Sequence, residues 1–257
     1  MTLTGKVAWI TGGGSGIGLA GAVELARAGC RVVISGRDAA KLDAALAQAQ
    51  ARGAPAGAIS AAPLDVSDAD AVTRVAQAIQ RELGRVDLLV NSAGINFQKR
   101  YWGQTDAATF AKVVAINLNG ATYCMLAVLE GMRSRHEGTV INVASFAGWH
   151  FSDLTGPAYT ASKAAMMALT HSFNLEEGIN GLRATALCPG EVATPILKSR
   201  PVEPSDEEKA RMLQEGDLGR TIRFIAEMPA HVCINELVIS PVWNRIYFGG
   251  DDLKRRR

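Results

Sequence analysis

Apolar positions along the chain fall into two kinds of segment that alternate for most of its length. Short, nearly continuous apolar runs rich in β-branched residues occur at 6–10 (KVAWI), 31–35 (RVVIS), within 58–66 (AISAAPLDV), and at 85–94, 138–145, 183–190 and 236–240. Between several of them lie longer stretches with a helical period. In the stretch after Ser67 and Asp68, either of which can cap it, Val72, Val75, Ala76, Ile79 and Leu83 fall on one face. The stretch 19–29 is rich in helix formers and closes at Gly29, and the alanine-rich stretch 38–53 closes at Gly53. Runs that are apolar throughout, rather than alternating, imply strands buried on both faces and hence a parallel sheet. Strand–helix–strand units with right-handed crossovers then give an α/β fold: a doubly wound, seven-stranded, mostly parallel sheet flanked by helices on both faces. No composition break divides residues 1–257, so one domain is expected, with a polar, proline-bearing mobile lobe around 194–217.

Composition narrows the class without changing this picture. The chain has 257 residues, 48% hydrophobic and 20% charged, the balance of a globular domain. Its formal net charge of +2 carries no signature of a nucleic-acid binder, and the basic stretch at 253–257 reads as a solvated terminus. Four separated cysteines with no C-x-x-C pair point to reduced thiols. His136, His171 and His231 lack ligand spacing, so no metal is expected. The N-terminal stretch has no secretory pattern, and no run reaches the ~20 apolar residues of a bilayer span, so a soluble cytoplasmic protein without membrane contact is expected.

Residues 11–18 read TGGGSGIG, directly after the first strand and before a helix. At such a junction backbone N–H groups and the helix dipole attract an anion, and glycines let a phosphate approach. A phosphate-gripping P-loop would need G-K-[S/T], but Leu19 follows Gly18. The context instead predicts dinucleotide binding. At the end of the second strand Gly36 stands where an acidic residue would select NAD, and Arg37 follows it, favouring the 2′-phosphate of NADP(H) over NAD(H). Asp38, one step later, reads as a helix N-cap.

Tyr159 and Lys163 in YTASK are four apart, one turn removed on one helix face. A phenol titrating near ~10 is a poor acid at neutral pH. A cation about 4 Å away contributes ~4 kcal/mol at an effective dielectric of 20, enough to bring it toward working pH.

The motifs TGGGSGIG, LDVSD, NSAG, INLNG, NVASFAG, YTASK and PGEVATP, in this order across roughly 4–242, resemble the short-chain dehydrogenase/reductase family. That resemblance implies a single Rossmann-fold domain and an oxidoreductase interconverting a secondary alcohol and a ketone. Tyr159 would be the general acid/base. Lys163 would lower its pKa and hold the nicotinamide ribose, so both residues meet the cofactor. Ser145 would orient the substrate oxygen, and Asn117 would hold a water of a proton relay.

Gly12, Ser15, Ile17 and Gly18 would wrap the pyrophosphate, and Arg37 would hold the 2′-phosphate. Asp65 and Val66 would border adenine, with Asn91, Ala93 and Gly94 lining the next strand end. Pro189, Gly190, Val192 and Thr194 would face the nicotinamide. The substrate pocket would draw on 95–102, 146–156 and 194–217, with Phe97 and His150 as candidates. Lys99 and Arg100 either attract an acidic substrate or are simply solvated.

Departures are mild: NSAG stands for N-N-A-G, one serine precedes FAG, and Cys188 precedes the Pro-Gly. The last strand lacks D-G-G; INELVISPVWNR is similar to a subgroup acting on small hydroxy acids and related alcohols, and GGDD at 249–252 comes too late to replace it. Alternatives are a 3-oxoacyl-thioester reductase and a non-catalytic dinucleotide-binding sensor. The family also implies a homo-oligomer, dimer or tetramer, packed through helices around 105–133 and 157–177.

Overall fold

The computed structural model describes residues 2–248; the two terminal features at 249–252 and 253–257 lie outside the described residues. In chain order the elements are β1 (Val7–Thr11), α1 (Gly16–Arg27), β2 (Arg31–Gly36), α2 (Ala39–Ala51), β3 (Ile59–Pro63), α3 (Ala69–Leu83) and β4 (Leu88–Asn91). There follow α4 (Ala107–Val114), α5 (Gly120–Arg135), β5 (Gly138–Val143), α6 (Phe146–Trp149), α7 (Pro157–Glu177) and β6 (Leu182–Pro189). The chain closes with α8 (Asp206–Arg211), α9 (Glu215–Glu227), β7 (Glu236–Ile239) and the short α10 (Arg245–Phe248). The seven strands form one sheet in the order β3-β2-β1-β4-β5-β6-β7, and every pairing is parallel. Strand order reverses between β1 and β4, so the crevice at the carboxyl ends of those strands is the natural ligand site of this topology.

The continuous apolar runs have a simple cause. Along β1, Ala8 and Ile10 point into one core with α1, α2 and α9, while Val7 and Trp9 point into a second with α3 and α5. Each residue of an inner strand therefore meets a core, whichever face it takes. The two edge strands differ from expectation: β3 and β7 are only partly buried, because each has a neighbour on one side alone.

Caps fall where the side chains suggest. Asp38 accepts from the Lys41 N–H and Asp68 from the Ala71 N–H, so Asp68 rather than Ser67 caps α3. Gly29, at φ +93°, follows the end of α1. The polar segment after Thr194 holds a 3₁₀ turn (Pro195–Ser199) and α8, whose Ser205–Glu208 capping box closes its first turn.

α4 and α5 are joined by a π-helical turn (Ala115–Asn119) into one helix, Ala107–Arg135, long and apolar enough to cross a membrane by length and composition alone. No such run was expected from the sequence, because Asn117, Asn119 and Thr122 interrupt the apolar positions. Its α5 portion packs on α3, β4 and β5 and its α4 portion on α7.

Candidate active site

The loop from β1 into α1 is shaped by close backbone approaches. A Cβ on Gly18 would lie 2.5 Å from the Gly12 carbonyl oxygen, and one on Gly12, at φ +68°, would meet the Ser92–Ala93 backbone at 2.7 Å. Only glycine lets the loop fold back on the start of the helix and against the end of β4. Ser15 precedes α1 with no side-chain bond to its first-turn amides, and no acidic residue stands in that turn. The helix N-terminus thus presents its N–H groups and positive dipole end to the crevice.

A cavity of ≈290 Å³ opens there. Gly12, Ser15, Gly16 and Ile17 line one part, Tyr159, Lys163 and Ser145 another, and Pro189, Gly190, Val192 and Thr194 a third. A Cβ on Gly94 would come within 3.6 Å of Lys163 Nζ, so a side chain there would fill the space beside the lysine. The loop, the open helix end and the bare Gly94 fit the pyrophosphate and ribose of a dinucleotide.

α7 starts at Pro157, whose fixed φ suits the first helical position and whose missing N–H costs nothing there. One turn further it places Tyr159 and Lys163 together, with Lys163 Nζ 5.7 Å from the centre of the Tyr159 ring. The lysine is 4% exposed and donates to the Val143 carbonyl oxygen at 2.6 Å. Burial depresses its pKa to about 8, opposed by the nearby Cys188. Burial also raises the Tyr159 phenol above its ordinary value, while the Ser145 hydroxyl and the positive charges of Arg100 and Arg200 act to lower it. Arg100 and Arg200 act on the phenol from the cavity wall, while the Lys163 ammonium lies over its ring and bonds to backbone.

Ser145 leaves β5 as the N-cap of α6, accepting from the Ala147 N–H at 3.1 Å, which fixes its hydroxyl facing the tyrosine side of the cavity. Asn117 sits in the π-helical turn, fully buried. Its Oδ1 accepts from the Ile95 N–H at 2.8 Å, and its Nδ2 donates to the Ile95 carbonyl at 3.0 Å and to Ser162 Oγ at 3.2 Å. The extra residue of a π turn re-aims a side chain that a regular helix would direct elsewhere. Here it pins the 94–96 loop next to Lys163.

A family model described as short chain dehydrogenase matches residues 6–204. The chain belongs to the short-chain dehydrogenase family. An uncharacterized oxidoreductase of Staphylococcus saprophyticus is 30% identical over 240 residues, covering 93% of this chain and 99% of that protein. The crystal structure of levodione reductase superposes with a TM-score of 0.85 at 30% identity, covering 96% of this chain and 99% of that one. The alcohol dehydrogenase of the archaeon Thermococcus sibiricus, complexed with 5-hydroxy-NADP, gives 0.81 at 27% identity over 93% and 98%. This chain is an oxidoreductase enzyme of that family.

Of the positions singled out from the sequence of this short-chain dehydrogenase, Gly12, Ser15, Ile17, Gly94, Ser145, Tyr159, Lys163, Pro189, Gly190, Val192 and Thr194 line the one cavity. Gly18 supports the loop from behind. Arg37, exposed, follows β2 at the carboxyl edge of the sheet, and its charge helps lower the Asp65 pKa, where burial opposes and Ser67 hydrogen bonds assist. Val66 is buried against Gly120.

Asn91, Ala93, His150 and Phe97 also lie away from the cavity wall. Asn91 is 2% exposed and donates to Asn142 Oδ1 at 2.9 Å, joining β4 to β5 inside the sheet. Ala93 packs on the second core and offers only backbone, with Ser92 and Gly94 on either side lining the cavity. His150 is exposed and meets Phe146 at a tilt and Tyr247 edge-on. Phe97 also falls outside the wall; its carbonyl accepts from Arg100 Nε at 2.6 Å, so its backbone rather than its ring serves the site.

Sequence reading missed Glu191, Arg200 and Ile246, all on the cavity wall. Arg245 clasps Glu191 through Nε–Oε2 at 2.8 Å and Nη2–Oε1 at 2.7 Å, Arg200 joins the same carboxylate at 2.7 Å, and Arg245 also reaches Glu208. This network ties α10, α8 and the Pro195–Ser199 turn together over the cleft. A sequence signal existed only in part: Glu191 follows the Pro-Gly directly, but its partners lie 9 and 54 positions later.

Proposed function

We propose that this enzyme interconverts a secondary alcohol and a ketone with NADP(H). The observation that carries the reading is the convergence of Tyr159, Lys163 and Ser145 on the cavity that the glycine loop opens into. Nicotinamide, when bound, supplies or accepts the hydride at the substrate carbon. Tyr159 gives its phenolic proton to the substrate oxygen during reduction and removes it during oxidation. Ser145 donates a hydrogen bond to the same oxygen and fixes it beside the phenol. Lys163 holds the nicotinamide ribose and, when protonated, favours the tyrosinate. Asn117 is a positioning residue whose amide keeps the Ile95 backbone, and with it Gly94, beside Lys163.

Gly12, Ser15 and Ile17 hold the pyrophosphate on the loop that Gly18 supports, Asp65 and Val66 border adenine, and Pro189, Gly190, Val192 and Thr194 face the nicotinamide. Arg37 takes the 2′-phosphate, since neither it nor Gly36 offers the carboxylate a ribose 2′-hydroxyl would need. The NADP-analogue complex of the archaeal alcohol dehydrogenase supports that choice. The enzyme works as a homo-oligomer; Leu126 on α5, Leu175 near the end of α7 and Ile179 in the turn that follows it are large apolar side chains left exposed on single chains.

The test is consumption of NADPH by purified protein with a panel of ketones, oxo acids and 3-oxoacyl thioesters. Turnover of ketones or oxo acids supports the reading. Turnover of thioesters alone, or NADPH binding with no turnover of any member, contradicts it.

A further inference from the structure

Phe, Trp and Tyr make up 6% of the chain, yet residues 146–151 read FAGWHF, with four rings in six positions. Phe146 and Trp149 lie three apart on α6, on one face, with ring centres 5.4 Å apart. Tyr247, on α10, meets Phe146 edge-on at 6.0 Å and His150 at 6.2 Å. The inner part of this group belongs to the cavity: Phe146 lines it, and so does Ile246, the neighbour of Tyr247. The outer part faces solvent, Trp149 at 46% and Tyr247 at 59% exposure. Large apolar side chains exposed together at the edge of a cavity mark a binding surface.

α10 is fastened in this place. Arg245, 3% exposed, grips Glu191 beside Gly190 and reaches Glu208 of α8. A buried ion pair therefore presents the two residues that follow it, Ile246 and Tyr247, to the cleft. The ring group also adjoins the reacting centre. Phe146 directly follows Ser145, so a substituent on the carbonyl carbon that leaves Ser145 along α6 runs past Phe146 to Trp149 and Tyr247. α6 follows β5 and α10 follows β7, so the group stands on the opposite side of the cleft from the glycine loop after β1. The arginines of the wall are engaged within the protein, Arg100 with the Phe97 and Ser199 carbonyls and Arg200 with Glu191. Leu154, Ile196 and Leu197 extend the apolar lining that Phe146 and Ile246 begin.

We propose that Phe146, Trp149, Ile246 and Tyr247 form a specificity wall for a flat apolar ring, so that the enzyme prefers ketones carrying an aryl group and the corresponding alcohols. The inference rests on the alcohol–ketone reading above and names its substrate class. Aromatic pairs favour offset and edge-to-face contacts with centres about 4.5–7 Å apart. The members of this group already show that spacing and tilt among themselves. A ring entering against Phe146 continues the same packing. The ≈290 Å³ cavity also takes the nicotinamide, so an aryl group spreads from the wall onto the exposed rings.

The experiment measures kcat/KM, with NADPH in excess, for two methyl ketones that differ only in the second substituent, phenyl or ethyl. The wild type is expected to favour the phenyl ketone by about 10²-fold. Ile246→Ala and Tyr247→Ala are each expected to lower that ratio about fivefold or more, and Tyr247→Phe, which keeps the ring, to retain it. NADPH affinity reports that each variant is folded. Equal wild-type turnover of the two ketones, or turnover of oxo acids alone, overturns the inference while leaving the alcohol–ketone reading intact. NADPH binding without turnover of either ketone or of any oxo acid overturns both. An aryl preference that survives in both alanine variants overturns the assignment to α10. Dissociation of the oligomer in Tyr247→Ala with the ratio unchanged makes the exposed rings a subunit contact and overturns the inference as well.

Discussion

Lys163 Nζ lies 5.7 Å from the centre of the Tyr159 ring and donates to the Val143 carbonyl rather than to solvent. The lysine thus stands beside the phenol as a buried cation whose own charge is costly: its pKa falls from 10.5 to about 8 because of burial. Below pH 8 both folded and unfolded chains carry its proton, and the folded one bears the penalty. Between about 8 and 10.5 the folded chain gives the proton up while the unfolded chain keeps it, so this residue's contribution to stability rises with pH. Lys163→Met removes that dependence. The difference in denaturant midpoint between wild type and variant, followed across this range without cofactor, should shift in favour of the wild type as pH rises. A difference that stays constant would place the lysine's titration elsewhere.

Gly18→Ala sets a Cβ against the Gly12 carbonyl, a backbone group that cannot turn aside. The variant is expected to lose ~1–3 kcal/mol of stability and at least tenfold in NADPH affinity. Gly14→Ala is the control, because its Cβ would find its nearest neighbour at 3.8 Å. Thermal unfolding and NADPH titration separate the two variants.

Glu191→Gln breaks a carboxylate and a guanidinium that are each 3% exposed. Burial acts to raise the Glu191 pKa, but the bonds and charges of Arg245 and Arg200 hold it below the ordinary range. The ion pair therefore contributes stability above that ordinary range and loses it as pH falls through the depressed value. The variant should be less stable by ~3–5 kcal/mol at neutral pH, measured by urea unfolding, with a smaller penalty in acid.

Arg37→Ala addresses the cofactor. Wild type should bind NADPH well ahead of NADH, and the variant should lose most of that preference with little change in NADH affinity. Fluorescence titration of both cofactors checks it, and equal binding by the wild type would mean Arg37 does not read the phosphate.

The seven strands, the glycine loop and the pair on α7 were legible because each is written locally: a run of apolar residues, a cluster at one junction, a four-residue spacing. α9 was not read, although Leu218, Ile222, Ile225 and Ala226 form a buried stripe against α1. Its polar N-terminal half continued the charged stretch before it and masked the period. α1 begins at Gly16, three residues ahead of the expected start, because its first turn is built from the glycine motif itself. Asn91 looked like a cofactor contact from its motif, but its side chain points into the sheet toward Asn142, a direction set by strand register and invisible in spacing. The Glu191 network depended on Arg200 and Arg245, 9 and 54 positions later, meeting it in space, which no local pattern encodes.

The central claim is that Tyr159 moves the substrate proton, and the most direct measurement is turnover by Tyr159→Phe beside the wild type, with NADPH binding measured on both. The account predicts that the variant still binds NADPH while kcat falls by ~10²-fold or more. Full turnover by the variant would contradict it and send the search for the proton donor to another group on the cavity wall.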